Sequence, residues 1–259
     1  MQKNKVLISF DVEEFDLPRE RGAEISLADG IKVSRAGLIK VLKMLERQKV
    51  RATFFCTGNF VEHEPEIISK IANAEHEIAC HGVDHFVPKK SDIEESKRIV
   101  EKVLGKKVMG YRQPRMQAIN YRQMKELGFL YDSSVNPALI PGRYNHLDTP
   151  RIAHKKNGVI EIPTSVATIF RIPLFWLSLH WFPVWLYVAL AKMAIKKTGY
   201  LATYFHPWEF ADLSRFDCVP GYIKHNSNDK LVRRLEKLII KLKKSGFEFQ
   251  TYTAYAKIV

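Results

Sequence analysis

Short apolar runs alternate with amphipathic stretches along nearly the whole chain, and this alternation restricts the fold more than any other feature. KVLISF at 5–10, ATFFC at 52–56, EIAC at 77–80, and the segments 107–111, 129–131, 158–162, 201–205 and 247–252 read as strands. Helical patterns lie between them. Ser34 is placed to cap a helix through about Gln48, with Leu38, Ile39, Leu42 and Leu45 as its apolar stripe. Pro65 opens a helix through Ala74, Ser91 with Glu94 forms a capping box for a helix to Leu104, and Asn120 caps a short helix closed by Gly128. The last helix, Leu231 to Lys244, turns Leu231, Leu235, Leu238, Ile239 and Leu242 inward. Strand–helix alternation of this kind predicts an α/β fold on a parallel sheet, open or closed.

The residues able to do chemistry fall just beyond the predicted strands. Asp11 follows the first, His81 the third, Arg112 the fourth, Asp132 the fifth and His206 the segment 201–205. In parallel α/β folds those ends converge on one rim, where active sites are built. That convergence points to an enzyme.

EIACHGVDH at 77–85 is the most suggestive stretch. His81 and His85 are four apart, with Gly82 supplying a turn. If the chain then enters a helical arc, both imidazoles face one ion. Asp11, Glu13, Glu14 and Asp16 crowd the end of the first strand, where they repel one another unless solvated or bound to a cation. Asp11 and Glu13 share a face if strand geometry continues.

Together these residues resemble the NodB-type polysaccharide deacetylases, the group also described as carbohydrate esterase family 4. SFDVEEFD at 9–16 is similar to the family's acidic first motif, and HGVDH at 81–85 to its H-[ST]-x-x-H, with Gly82 in the Ser/Thr place. YRQPR at 111–115 matches an Arg-x-Pro-like motif, YDSS at 131–134 one centred on Asp, and TYFHPWEF at 203–210 a strand leading to a catalytic histidine. ATFFCTGNFVEHEPEIISKI at 52–71 resembles the stretch before the metal histidines. DVEEFD and YFHPWEF are similar to a branch associated with exopolysaccharide gene clusters.

The resemblance implies a distorted, incomplete (β/α) barrel in one catalytic domain, 1–259, with an aromatic-rich insert at about 166–195. It implies a divalent metal, zinc in most members, held by His81, His85 and a carboxylate. Val12 stands where the family has an Asp ligand, so Glu13 takes that role, with Glu14 and Asp16 as alternatives. Asp11 is then the base, His206 the acid, Arg112 the group orienting Asp11, and Asp132 the group holding His206. Arg115 is assigned to substrate binding, and Trp208 is either a sugar-stacking platform or a core tryptophan. The implied activity removes an N-acyl group, acetyl foremost, from an amino sugar of a polysaccharide or lipid-linked saccharide. A metal-independent, allantoinase-like carbon–nitrogen hydrolase and a non-catalytic glycan- or membrane-binding protein are the alternatives.

Three scattered cysteines without a CxxC pair indicate neither a disulfide framework nor a cysteine zinc site, and with a short N-terminal apolar run they favour the cytoplasm. The net charge of +13 attracts polyanions, yet no nucleic-acid signature accompanies it. A peripheral position at the inner membrane face is the expectation it leaves open. The uncharged segment 172–191 carries three tryptophans and two prolines; a spanning helix there would separate the His206 motif from the other four. It is read as core helix and lid, or as a patch lying on a membrane. His63, His76, His146, His154, His180 and His225 lack partners at ligand spacing and are read as surface or satisfied polar residues.

Overall fold

The computed structural model describes residues 4–89, 91–141 and 144–259. Strand β1 (Lys5–Val12) is buried along its whole length and stands inside the sheet. On one side it pairs in parallel with β2 (Thr53–Cys56), followed by β3 (Glu77–Cys80), β4 (Gly110–Tyr111) and β5 (Tyr131–Asp132). A two-stranded ribbon, β6 (Leu139–Ile140) with β7 (Tyr144–Asn145), lies outside the main sheet. The sheet continues through β9 (Val159–Glu161) to an antiparallel edge, β8 (His154–Lys156). On the other side β1 pairs in parallel with β10 (Tyr200–Phe205) and, at its start, with β11 (Glu248–Phe249). The strand order is β10-β1-β2-β3-β4-β5-β9-β8, and β10 and β8 do not meet. The fold is the distorted, incomplete (β/α) barrel that the sequence predicts.

The helices are α1 (Leu17–Glu20), α2 (Leu27–Gln48), α3 (Gly58–His63), α4 (Pro65–Asn73), α5 (Asp92–Leu104), α6 (Tyr121–Glu126), α7 (Trp176–Trp181), α8 (Val184–Thr198), α9 (Gly221–Lys224), α10 (Asp229–Lys244) and α11 (Tyr252–Ala256). Helix α2 begins well before the predicted Ser34. Ser26 is its cap, with Oγ accepting from the amide of Asp29, and Ser34 is buried mid-helix. Ser91 makes no side-chain cap, and the predicted final strand shortens to β11 before the chain turns into α11.

Aliphatic faces of α2, α4, α5, α8 and α10 cover one side of the sheet, with Val6, Ile8, Phe10, Phe54 and Leu201 at the centre. One close approach fixes the site. Gly37 of α2 lies against a 3-10 turn, Pro207–Phe210, and a Cβ there would sit 1.8 Å from the Pro207 carbonyl oxygen. The helix is thereby pressed onto the segment that follows His206.

The segment 172–191 divides at Pro183 into α7 and α8. Leu174, Leu179, Tyr187 and Ala191 are core residues, while Phe175 and Trp176 line a cavity at the C-terminal rim. Its inner face is thus divided between the core and the cavity wall.

Candidate metal centre and active site

Asp11 and Glu13 leave the end of β1 on one side, as strand alternation requires. The Nη1 of Arg112, which is 0% exposed, donates to Asp11 Oδ1 at 2.5 Å and to Ser9 Oγ at 3.0 Å. The rest of its guanidinium is anchored on Ser133 and the Tyr252 hydroxyl, and its plane lies 4.0 Å from the Phe55 ring centroid. Burial lowers the pKa of this guanidinium, but Asp11 outweighs it and the net direction is up. Arg112 is therefore in contact with Asp11 and holds one of its oxygens.

Glu13 is the centre of the arrangement. Its Oε2 lies 3.4 Å from His81 Nε2 and 3.3 Å from His85 Nε2, and it is buried without a hydrogen-bond partner. The other oxygen accepts from the indole N–H of Trp208 at 3.1 Å. His81 donates from Nδ1 to the Arg112 carbonyl at 2.8 Å, and His85 from Nδ1 to Asp16 at 2.8 Å. Both imidazoles are thus fixed with Nε2 toward Glu13. Among the described residues this is the one trio whose ligand atoms lie within 4.8 Å of one another in a potential metal site.

The donor set fits a divalent ion. A tetrahedral ion with bonds of about 2.0–2.1 Å spaces its ligands roughly 3.3–3.4 Å apart, which is the distance of Glu13 Oε2 from each histidine nitrogen. A partnerless buried carboxylate oxygen facing two imidazole nitrogens costs free energy that such an ion relieves. Without one, burial raises the pKa of Glu13, but His85, His206 and His81 outweigh it and hold the carboxyl well below its usual range. His85, disfavoured by burial but facing Glu13 and Asp16, is pushed up to about 9.

The helical arc expected after Gly82 does not form. Residues 81–89 are irregular, and Gly82, at φ 70°, makes the turn that brings the two histidines together. A Cβ there would stand 3.0 Å from Pro114 Cγ, which accounts for glycine in the Ser/Thr place. Glu14 and Asp16 are engaged elsewhere. Glu14 accepts from Thr57, Asn59 and the His85 amide, and Asp16 holds His85 and pairs with Arg115. Glu13 is left as the carboxylate facing both histidines.

His206 enters from the end of β10, with Nε2 4.0 Å from Glu13 Oε1. Its Nδ1 donates to Glu209, not to Asp132, at 2.7 Å. Burial lowers the pKa of His206, but Glu13 and Glu209 outweigh it and the net direction is up. Asp132 instead accepts from Ser134 and shares a side-chain hydrogen bond with Glu161, which also accepts from Tyr121. Burial raises the pKa of both Asp132 and Glu161. Asp132 braces the β5–β9 edge, and the expected contact with His206 is replaced by Glu209, three residues beyond the histidine.

Trp208 resolves to the core alternative. Its ring stacks on His206 at 4.9 Å and meets Phe15 at 5.6 Å, so its faces are covered and no sugar platform remains. Arg115 does line the cavity, paired with Glu20 at 2.8 Å. His180 takes the satisfied polar alternative: it is wholly buried, Nε2 lies 2.9 Å from the second Glu209 oxygen and Nδ1 meets the His225 carbonyl at 2.8 Å. His76 is buried too, accepting from the Ala52 amide. Sequence reasoning left Glu209 and His180 without roles; the i,i+3 spacing of His206 and Glu209 is the signal that could have found the first.

Asp11, Glu13, His81, His85 and His206 open onto a cavity of about 260 Å³ walled by Trp176 and its neighbours. A larger hollow near the N-terminal ends of β2 and β3, lined by Glu46, Arg51, His76 and Phe249, contains none of them.

An incomplete barrel with a two-histidine, one-carboxylate cluster at its strand ends defines the class. Residues 18–130 match the polysaccharide deacetylase family, and residues 133–257 match a domain of unknown function, DUF3473. The polysaccharide deacetylase match covers less than half of the chain and includes the two histidines and the arginine of the cluster. A peptidoglycan deacetylase of Helicobacter pylori is 25% identical over 118 residues, 42% of this chain and 40% of the relative. The match thus spans under half of that relative. Among solved structures, the "probable polysaccharide deacetylase" of Pseudomonas aeruginosa PAO1 superposes with a TM-score of 0.68 at 16% identity, over 98% of this chain and 89% of that one. The Puue allantoinase superposes with a TM-score of 0.66 at 16% identity and the same coverage. At these identities the two likenesses concern the fold.

Proposed function

We propose that this protein is a metal-dependent hydrolase that removes an N-acetyl group from an amino sugar of a glycan. One observation carries the reading: the buried, partnerless Oε2 of Glu13 between two imidazole nitrogens held by Arg112 and Asp16. Glu13, His81 and His85 would hold the ion, zinc being the divalent metal best suited to this donor set. When bound, it supplies Lewis-acid polarisation of the amide carbonyl and a more acidic water.

The chain's own residues do the rest. Arg112 ties up Oδ1 of Asp11, so Oδ2 is the oxygen left to take the proton from the attacking water. Water oxygen bonds to the carbonyl carbon, the carbon–nitrogen bond breaks, and the products are acetate and a free amine. Glu209 keeps the proton of His206 on Nδ1, so Nε2 faces the cavity, and in the imidazolium form it donates to the departing nitrogen. Phe175 and Trp176 wall the cavity with apolar surface, which strengthens these charge interactions. Glu13 Oε2 makes no hydrogen bond and stands at ligand spacing from two imidazole nitrogens, so the cluster favours the metal-dependent mechanism.

The test is acetate release from N-acetylated glucosamine and muramic acid oligomers by zinc-loaded protein. The wild type should release acetate and amine in equal amounts, and Asp11→Asn should retain metal but lose at least about 10²-fold in kcat. Turnover that survives both Asp11→Asn and chelation would overturn the reading.

A further inference from the structure

The cavity mouth has an apolar surround. In a parallel sheet the segments leaving the strand ends all gather at the catalytic rim. Leu139, Ile152, Ile169, Phe170, Trp181 and Tyr222, exposed large apolar side chains, lie in such segments or in the connections beside them.

The projecting piece is a hairpin closed by pairing of Val166 with Pro173 and by the Ala167 amide donating to Ile172. Arg171 pins it to the Pro137 and Thr149 carbonyls, and Arg151 holds the Thr168 carbonyl. Its tip carries Ile169 and Phe170, the latter 90% exposed at φ 58°. A non-glycine residue at positive φ is strained. Here the strain presents a phenyl ring to solvent, directly before Phe175 and Trp176 of the cavity wall.

Trp181 donates from its indole to the carbonyl of Tyr222, a residue of the cavity lining, and stacks on His225 at 4.3 Å. It is held rigidly although half-exposed. Trp185, 67% exposed, follows in the first turn of α8. Cations border this ring: Arg21, bonded to the Tyr222 hydroxyl, Lys224 at the end of α9, and Lys192 two turns below Trp185. Among the described residues no helix is long and apolar enough to cross a membrane.

We propose that the catalytic rim docks onto an anionic lipid bilayer, with Phe170, Trp181 and Trp185 entering the interface and Arg21, Lys192 and Lys224 meeting the headgroups. Interfacial aromatics flanked by basic residues are the chemistry of proteins that lie on a membrane rather than span it. The net charge of +13 draws the molecule toward an anionic surface from a distance, and the rim cations lie within a Debye length of it once docked. One Trp181 face is already covered by His225, which disfavours a glycan chain as occupant. The inference goes beyond the hydrolytic reading and does not need it. Where both hold, a sugar carried on a lipid would meet the cavity at headgroup height.

The test is flotation of the full chain with phosphatidylcholine vesicles and with mixed phosphatidylcholine–phosphatidylglycerol vesicles, at low and high salt, beside Phe170→Ser, Trp185→Ser and the double variant. Neither residue lines the cavity, so melting temperature and hydrolysis of a soluble substrate should stay as in the wild type. The expected result is partitioning onto the anionic vesicles that weakens with salt and falls about tenfold per aromatic removed. No flotation at low salt would overturn the proposal, as would partitioning that both variants retain. So would a dimer seen in sedimentation velocity that the substitutions dissolve, since the patch would then serve a second copy of the chain.

Discussion

Glu209→Gln isolates the group that sets the proton state of His206. Glu209 is fully buried, accepts from His206 Nδ1 at 2.7 Å and from His180 at 2.9 Å, and Gln keeps its shape while removing its charge. Three anions raise the pKa of His206 against the effect of burial: Glu13, Glu209 and, least of them, Asp11. A divalent cation on Glu13 would offset the first, so in the loaded enzyme Glu209 carries most of the effect. A buried hydrogen bond to a charged group contributes about 1.5–3 kcal/mol, roughly a 10–100-fold change in an equilibrium. The sign follows from the role of an acid. His206 must be protonated to donate, a raised pKa keeps it so to higher pH, and removing the anion lets the proton leave earlier as pH rises. The alkaline limb of kcat/KM against pH should therefore move toward lower pH. Activity at alkaline pH should fall about 10–100-fold while the acid side changes little. Steady-state kinetics across pH on loaded protein measures this, with a thermal melt to check folding. An alkaline limb that stays in place would refute the reasoning, and so would a loss equal at every pH in a folded variant.

Arg112→Met leaves the Asp11 charge buried and uncompensated, which should destabilise the fold by about 3–5 kcal/mol, read by urea denaturation. Gly82→Ala forces a Cβ onto a backbone at φ 70° and within 3.0 Å of Pro114. It should cost about 1–2 kcal/mol and weaken metal binding, seen by calorimetry. Metal uptake must displace the His85 proton, whose pKa is about 9 in the metal-free chain, so apparent affinity should fall about tenfold per pH unit below that. Competition with a chromogenic chelator across pH checks the slope; an affinity independent of pH contradicts it.

Much of the fold was readable because burial leaves compositional marks. KVLISF and YLATYF are mostly apolar since both faces of β1 and β10 are covered, and α10 shows its inner stripe at helical spacing. The start of α2 was not readable, because Ser26 and Ser34 are equally good caps on paper and only packing of Ile31 and Val33 extends the helix. His81 and His85 were correctly paired for an incorrect reason: a positive-φ glycine in an irregular loop, not a helix, aligns them. Asp132 was misplaced because position after a strand says nothing of side-chain direction, whereas Glu209 reaches His206 through one short turn. The role of Trp208 depends on what covers its ring, Phe15 and His206, from distant parts of the chain. His180 sits in an apolar segment that reads as lid or membrane patch, and its link to Glu209 exists only after folding.

The central claim is that Glu13, His81 and His85 form one metal centre, and metal content tests it most directly. Protein purified without chelator should carry about one equivalent of zinc or another divalent ion per chain by plasma mass spectrometry. The His81→Ala/His85→Ala double variant, still folded by circular dichroism, should carry none even after incubation with zinc. Equal metal in the two proteins, or no uptake by the wild type under any loading condition, would contradict the account.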